Sequence, residues 1–203
     1  MTTRPLDRSF YARSTLLVAR DLLGKILVHT VDGCRFAGRI VETEAYVGEH
    51  DQASHARSGP SGRAKIMWGP PGIAYVYLIY GMHSCFNAVC EREGHPGAVL
   101  VRAIEPLEAA VRERGSGPAL VCRALRIGRS CHGLDLTASE LGVEDAPAVP
   151  DAAVRMGPRI GVAYAGAWAD KPFRVWLAES PHASRPRLNG QAYEAAPARG
   201  AAE

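Results

Sequence analysis

Hydrophobic positions along this chain recur at every second residue in short runs, which is the pattern of half-buried β-strands. The clearest alternation is at residues 39–44, in a run that follows a hairpin signal at Asp32-Gly33. Further apolar or aromatic runs predict strands at residues 25–31, 73–79, 97–104, 159–164 and 173–177. Because no strand–helix–strand rhythm recurs, we expect a single α+β domain built on an antiparallel sheet.

Helices are predicted where a capping residue or a proline precedes an apolar stretch. Ser14 or Thr15 can cap a helix over residues 16–23, and the glycine that follows is well placed to end it. Pro118 suits the first turn of a second helix, over residues 118–125. Similar signals predict two more short helices, one over residues 107–114 after Pro106 and one turn beginning at Thr137.

Two segments show neither pattern. Residues 48–72 are polar and rich in glycine, proline and serine; this is long for a structureless connection and typical of a functional loop. After Asn189 the chain becomes rich in alanine and polar residues. We therefore expect the folded domain to cover residues 1–188 and residues 189–203 to form a disordered tail.

Composition bounds the class of protein. Hydrophobic residues make up 47% of the chain and charged residues 22%, as in an ordinary globular domain. No apolar run approaches the roughly 18 residues of a membrane helix, and the first residues lack the apolar stretch of a signal peptide. We expect a cytoplasmic protein, nucleoid-associated in a bacterium, without membrane contact. The five cysteines lack the spacing of zinc or redox motifs, so we expect reduced thiols and no metal.

Basic residues are almost all arginine. Only three of the 24 are lysines, namely Lys25, Lys65 and Lys171. The planar fork of arginine can donate two hydrogen bonds to one phosphate, which suits a nucleic-acid partner. A coding bias toward arginine explains the same composition, and the net charge of +3 permits such a partner without requiring one.

Two carboxylates and an aromatic ring share one face of the strand that ends at Tyr46. Side chains alternate along a strand, so Glu42, Glu44 and Tyr46 point the same way. Charged strand positions are mostly exposed, so a solvated face is one interpretation. The other is a site in which a carboxylate base stands beside an aromatic wall that stacks a planar substrate.

Tyr80 and Arg102 are unusual for the runs in which they occur. Tyr80 meets Gly81 at the end of a strongly aromatic run, which places a large ring at a turn. Such a ring is either a packing residue or an exposed wedge between base pairs. Arg102 interrupts an apolar strand and, if buried, needs an anion. Glu44 or a phosphate would serve, in a structural ion pair or in a functional site.

Four ordered motifs connect these features. They are residues 38–46 (GRIVETEAY), 54–57 (SHAR), 75–82 (YVYLIYGM) with Asn87 downstream, and 101–108 (VRAIEPLE). In this order they closely resemble the alkyladenine (3-methyladenine) DNA glycosylase family, and the likeness covers residues 16–177. The resemblance implies one α+β domain with a curved antiparallel sheet flanked by helices and a protruding β-hairpin that inserts into DNA.

The resemblance also implies roles for individual residues. Glu44 would be the general base that deprotonates the attacking water, and Arg102 and the backbone carbonyl of Ile160 would hold that water. The pocket for the flipped base would be formed by the stacking walls Tyr46, His55 and Tyr77 and by Asn87, which excludes normal guanine. Contacts with DNA would come from Tyr80, which fills the gap in the duplex, and from Met82, Arg63 and His83.

The implied activity is hydrolysis of the N-glycosidic bond of alkylated or deaminated purines, such as 3-methyladenine, hypoxanthine and ethenoadenine, in double-stranded DNA. The lysines lie outside the motifs, so we expect a monofunctional enzyme that leaves an abasic site. We also expect it to act as a monomer and to need no cofactor. The alternatives are a non-catalytic damaged-base-binding protein of the same fold and a hydrolase of free nucleosides.

Three features depart from the motifs of the family, and one of them is His83 after Met82, which either contacts DNA or caps the turn. Ser61-Gly62-Arg63 stands where the family often has Thr-Pro-Arg. Residues 117–121 (GPALV) lack the lysine that the family has there. If that lysine contacts phosphate in relatives, this chain should bind DNA less tightly or with a shallower salt dependence.

Overall fold

Strands make up most of the regular structure. The computed structural model describes residues 4–108, 111, 114–184 and 190–194. Its strands are β1 (Ile26–Val31), β2 (Cys34–Tyr46), β3 (Ala74–Ile79), β4 (His83–Cys90), β5 (Gly97–Pro106), β6 (Leu141–Glu144), β7 (Val154–Gly157), β8 (Arg174–Leu177) and β9 (Gln191–Ala192). Its α-helices are α1 (Arg8–Tyr11), α2 (Thr15–Asp21) and α3 (Pro118–Ala124). Of the helices described, none is long and apolar enough to cross a membrane.

Strand β2 is the centre of an antiparallel sheet. The strand order is β3-β4-β5-β2-β8-β7-β9, and β1 pairs with β2 and β6. Along one edge, β2 pairs first with β1 and then, at residues 42–44, with β8. Along the other edge it pairs with β5. The predicted α+β class with an antiparallel sheet is therefore confirmed.

A bulge in β2 lies at the two carboxylates singled out in the sequence. The pairing of β2 with β5 shifts on both sides of Glu42, and bulges bend a strand and re-aim its side chains. The Thr43 hydroxyl donates to the Ala19 carbonyl of α2 at 2.7 Å, so this side chain faces the helix. Glu42 and Glu44 point away from the helix, and both lie against Arg102.

The main hydrophobic core lies between the sheet and the helices. Helix α2 packs on β2 and β5, and α3 packs on β4 and β5. Fully buried members of this core include Tyr11, Phe86, Leu125 and Leu141. Burying an aliphatic or aromatic side chain of this size contributes roughly 1.5–3 kcal/mol. The core thus packs against the face of β2 that meets the helices. The opposite face, which carries Glu42, is left for the site.

One predicted hairpin and two predicted helices are confirmed. Asp32 and Gly33 have φ angles of 50° and 74°, as a tight hairpin between β1 and β2 requires. Helices α2 and α3 begin and end within two residues of their predicted ranges. The Ser14 side chain does not cap α2. Instead, Glu91 accepts the Thr15 backbone N–H at 2.7 Å and the Thr15 hydroxyl at 2.9 Å.

The predicted strand at residues 159–164 is wrong. Gly161 has a φ of 79°, a left-handed backbone that interrupts a strand, and Ala163–Trp168 forms a 3-10 helix. The apolar alternation arises because Val162 packs in a small separate cluster. Residues 159–162 form a connection that contacts the end of β2, where Arg159 donates to the Ala45 carbonyl at 2.9 Å.

Both further helices predicted from capping signals are wrong at their first residues. Pro106 is the last residue of β5, and half of residues 107–114 lie outside the described part of the chain. The Thr137 hydroxyl donates to Asp135 at 2.7 Å, and the segment forms turns instead of a helix. Local side-chain hydrogen bonds of this kind compete with helix formation.

The predicted loop and tail contain regular structure. Residues 48–72 include 3-10 helices at His55–Ser58 and Gly62–Trp68. Within the predicted tail, Gln191–Ala192 forms β9 and pairs with β7, so the disorder predicted from residue 189 is wrong for this segment. Gly190, just before β9, permits the backbone to approach the Trp176 ring closely, because a Cβ at this position would lie 2.2 Å from that ring. Residues 189 and 195–203 lie outside the described residues.

Candidate active site

A cavity of about 570 Å³ lies against strands β2 to β5 and the segment after β7. Small-molecule pockets have volumes of roughly 300–1,000 Å³. Eight of the eleven predicted site residues line this cavity, namely Tyr46, His55, Arg63, Tyr77, Tyr80, Asn87, Arg102 and Ile160. Of the other three, Glu44 is bonded to residues of the lining, and Met82 and His83 follow Tyr80 on the β3–β4 hairpin.

The Glu44 carboxylate is fully buried directly behind the cavity lining. Its Oε1 accepts the Ile160 backbone N–H at 2.8 Å and lies 3.3 Å from Arg102 Nη1. Its Oε2 accepts the Tyr46 hydroxyl at 2.9 Å. A carboxylate can accept about four hydrogen bonds. With respect to the described residues, Oε2 therefore has room for one more donor.

Glu42 is equally buried but has different neighbours. Its Oε1 accepts Arg174 Nη1 at 3.0 Å, and its Oε2 accepts the backbone N–H and the hydroxyl of Ser184, both at 2.6 Å. Arg102 Nε adds an ionic contact of 3.7 Å to Oε1. Glu42 thus accepts three described hydrogen bonds, one more than Glu44. Both carboxylates have 0% exposure, so the solvated-face interpretation is wrong.

Arg102 joins the two carboxylates. Its Nε donates to the Ser184 hydroxyl at 3.2 Å and faces Glu42, while its Nη1 faces Glu44. The same side chain lines the cavity. Arg102 and Arg174 together balance the two negative charges, which makes burial of both carboxylates tolerable. Arg102 is thus both a partner in a buried ion pair and a residue of the cavity wall.

Aromatic rings form much of the cavity wall. The ring centroids of His55 and Tyr77 are 4.6 Å apart at an interplanar angle of 72°, and those of Tyr75 and Tyr77 are 5.2 Å apart. His55 Nδ1 lies 2.7 Å from the Tyr75 hydroxyl, which fixes the imidazole ring. Tyr46 contributes a further ring from the end of β2. Base–aromatic stacking contributes roughly 1–3 kcal/mol per base.

These walls are uncharged at neutral pH. Burial lowers the pKa of His55, and two nearby arginines lower it further. Burial raises the pKa of Tyr75 to about 12 and also raises the pKa of Tyr77. Burial, together with the neighbouring Glu44 carboxylate, raises the pKa of Tyr46 well above its usual value. Neutral aromatic faces attract a planar cation through the ring quadrupole.

The family model that matches the chain is the one for methylpurine-DNA glycosylases, over residues 9–181. That range covers most of the chain and includes every residue that lines the cavity. The chain belongs to the methylpurine-DNA glycosylase family.

Curated relatives in this family match nearly the whole length of the chain. A protein of Anaeromyxobacter dehalogenans strain 2CP-1 is 57% identical over 182 residues, which cover 89% of this chain and 86% of the relative. One of Myxococcus xanthus is 52% identical over 181 residues, covering 89% and 93%. One of Legionella pneumophila strain Corby is 44% identical over 182 residues, covering 90% and 99%. All three carry the provisional name 3-methyladenine DNA glycosylase.

The β3–β4 hairpin of this methylpurine-DNA glycosylase family member ends in exposed side chains. Tyr80 is 90% exposed and Met82 is 72% exposed, so the interpretation of Tyr80 as a packing residue is wrong. Tyr80 and Gly81 have φ angles of 51° and 72°, which close the turn but are costly for a tyrosine. Large apolar side chains exposed on a strained turn indicate an interaction surface.

Arg63 and Asn87 have defined positions at the cavity wall. Arg63 Nη1 lies 3.4 Å from the Leu78 carbonyl, and its guanidinium lies 5.4 Å from the centroid of the Tyr77 ring. The Asn87 side-chain amide donates to the Tyr75 carbonyl at 3.1 Å and is 3% exposed. The buried Asn87 amide is therefore held in one orientation by the protein itself.

The prediction from the sequence did not include several residues of the site. Tyr75 forms part of the wall, and its alternation with Tyr77 could have indicated this. Tyr164 lines the cavity from a 3-10 helix and is 62% exposed, which places it at the mouth. Asp51 and Arg159 form a fully buried ion pair next to the site, and no local pattern marks them.

Candidate metal ligands do not converge. Among the described residues, no three His, Cys, Asp or Glu side chains lie close enough together to hold a metal ion. Glu42 and Glu44 are paired with arginines instead. The five cysteines are free thiols, and all except Cys34 are buried.

Proposed function

We propose that this chain hydrolyses the N-glycosidic bond of alkylated or deaminated purines in double-stranded DNA and leaves an abasic site. The observation that carries this proposal is the buried Glu44 carboxylate, which has one open acceptor position behind a cavity walled by uncharged aromatic rings. Membership of the methylpurine-DNA glycosylase family supports the same class of reaction. The proposed substrates are 3-methyladenine, hypoxanthine and ethenoadenine.

The target base would enter the cavity by nucleotide flipping. A base stacked in a duplex is out of reach, and extruding it costs a few kcal/mol, least for a damaged base. Tyr80 at the hairpin tip would fill the gap, with Met82 beside it in the minor groove. Arg63 and His83 would contact the DNA near the flipped nucleotide. These contacts offset part of the cost of unstacking.

The flipped purine would stack between the aromatic walls. Tyr46, His55 and Tyr77 supply the rings, and the His55 backbone N–H would read the edge of the base. The Asn87 amide, held by the Tyr75 carbonyl, would clash with the exocyclic amine of normal guanine. Recognition would therefore combine stacking, which tolerates many purines, with one steric exclusion.

Glu44 would act on a water held at its open acceptor position. It takes a proton from that water as the water oxygen bonds to the anomeric carbon and the carbon–nitrogen bond breaks. The electron pair of the broken bond leaves with the purine, and the carboxylate stabilises the oxocarbenium character of the sugar. Arg102 and the Ile160 carbonyl would hold the same water. The described contact of Ile160 is made by its N–H, which fixes Oε1 of Glu44.

The charge of the leaving purine sets the need for a proton. A cationic base such as 3-methyladenine leaves as a neutral molecule, whereas a neutral base needs a proton as it leaves. None of the three lysines lines the cavity, which supports water rather than an amine as the nucleophile. The product would then be an abasic site without strand cleavage.

The test is single-turnover release of free base from duplexes that each carry one 3-methyladenine, hypoxanthine or ethenoadenine. We expect release from the damaged duplexes, fastest for 3-methyladenine, and none from an undamaged duplex. We expect no covalent protein–DNA complex after borohydride treatment. Binding without release would identify the damage-binding alternative. Cleavage of free nucleosides that is unchanged in Tyr80→Ser would identify the nucleoside hydrolase.

A further inference from the structure

A second ion pair, between Asp51 and Arg159, is fully buried near Glu44 but faces neither water nor the cavity. Both side chains have 0% exposure, and neither lines the cavity. Arg159 Nη1 lies 2.5 Å from Asp51 Oδ2, and Nη2 lies 2.8 Å from Oδ1, a bidentate arrangement. Burying such a pair costs desolvation free energy, so the pair contributes little net stability to the fold. Its position therefore calls for an explanation other than stability.

Arg159 lies next to both residues whose uncharged groups donate to Glu44. The first is the Tyr46 hydroxyl: the guanidinium carbon of Arg159 lies 4.8 Å from the Tyr46 ring centroid. Its Nη1 also donates at 2.9 Å to the carbonyl of Ala45, the residue between Glu44 and Tyr46. The second donor is the backbone N–H of Ile160, the residue that follows Arg159 in the chain.

The other end of the pair is anchored to the backbone. Asp51 accepts the N–H of Val47 at 3.2 Å and that of Ala53 at 3.0 Å. Arg159 Nη2 also lies 3.2 Å from the Trp168 carbonyl. The planar fork of an arginine can meet these acceptors together, whereas a lysine ammonium is a single point charge. The pair thus ties three segments of the chain to the end of β2.

We propose that Asp51 and Arg159 are positioning residues that orient the Glu44 carboxylate through Tyr46 and Ile160. This inference rests on the proposed function, because it assigns the pair to the water-activating step. Misplacement of a reacting group by about 1 Å can cost on the order of 100-fold in rate. Loss of the pair should therefore slow base release more than it weakens binding of damaged DNA.

The main test compares Arg159→Lys with Arg20→Lys. Arg20 is a matched control because it is also buried and pairs with Asp151 through Nε and Nη2, whereas its other described contacts, with Val149 and Tyr193, lie away from Glu44 and the cavity. For R159K we expect single-turnover base release to fall roughly 10- to 100-fold, with affinity for the lesion duplex within about threefold. For R20K we expect neither quantity to change, with rates expressed per folded molecule from circular dichroism.

A double variant tests the route of the effect. If Arg159 acts through the Tyr46 hydroxyl, R159K should cost at least about threefold less in a Tyr46→Phe background than in wild type. Independent, multiplicative effects would overturn the inference. If R159K does not fold, Asp51→Asn takes its place, because it keeps the shape and one acceptor oxygen of Asp51.

The outcomes separate the inference from the proposed function. If wild type releases base and R159K behaves like R20K, the inference fails and the proposed function stands. A parallel loss of binding and release in R159K also overturns the inference. If wild type binds lesion duplexes but releases no base, the proposed function and the inference fail together.

Discussion

The two carboxylates of β2 are two residues apart and equally buried, yet their surroundings differ. Glu42 is enclosed by Arg174, by Ser184 and by one edge of Arg102, and it accepts three described hydrogen bonds. Glu44 has donors on both oxygens but keeps one position open, and its partners line the cavity. Burial and charge alone therefore do not distinguish a structural carboxylate from a candidate base. The number of hydrogen-bond donors and the location of those donors in the cavity lining do.

The origin of the partners explains this difference. Glu42 is held by β8 and by Ser184, which lies 142 residues further along the chain. These contacts join the sheet to the segment after β8. Glu44 is held by residues that also form the cavity, so any ligand in the cavity lies next to its donors. One strand thus carries a structural carboxylate and a candidate catalytic carboxylate side by side.

The largest expected effect is loss of base release in Glu44→Gln. Removing a general base costs roughly 10²- to 10⁴-fold in rate, while affinity for the lesion duplex should stay within about threefold. Single-turnover release and binding to the same duplex measure the two quantities. Release by E44Q at the wild-type rate would show that Glu44 is not the base.

Glu42→Gln should show the opposite balance. Breaking a buried ion pair by removing one partner costs roughly 3–5 kcal/mol, so E42Q should lower the free energy of unfolding by about that amount. Release per folded molecule should fall less than in E44Q, because the hydrogen-bond donors of Glu42 lie outside the cavity lining. Urea unfolding of both variants, together with release assays, makes the comparison. If E42Q were more stable than wild type and released no base, Glu42 would become the candidate base and Glu44 the structural carboxylate.

The smallest expected effect concerns His55 on the cavity wall. Burial lowers its pKa in the folded protein below the usual value near 6.5, so the unfolded chain binds its proton first as the pH falls. The His55 contribution to stability is therefore present above that value and lost as the pH falls through the folded pKa. Urea unfolding at pH 7.5 and 5.5 should show a larger loss for wild type than for His55→Gln. Equal losses would contradict this.

Much of the fold could be predicted because it depends on local pattern. The turn at Asp32-Gly33 and helices α2 and α3 are confirmed, since turn residues and capping signals act within a few residues. The strand predicted at residues 159–164 is wrong, because local alternation does not show where the apolar residues pack. Its apolar residues pack in a small cluster, and the left-handed Gly161 breaks the extended chain.

The sequence by itself determined the antiparallel α+β class, the aromatic run that supplies the cavity wall and the family to which the chain belongs. Alternation and ordered motifs are read directly along the chain. Only the tertiary structure decided that both carboxylates are buried and that the hydrogen-bond donors of Glu44, unlike those of Glu42, line the cavity. The same holds for the ion pair of Asp51 with Arg159, 108 residues apart. Burial and hydrogen-bond saturation depend on partners distant in sequence, which local periodicity does not encode.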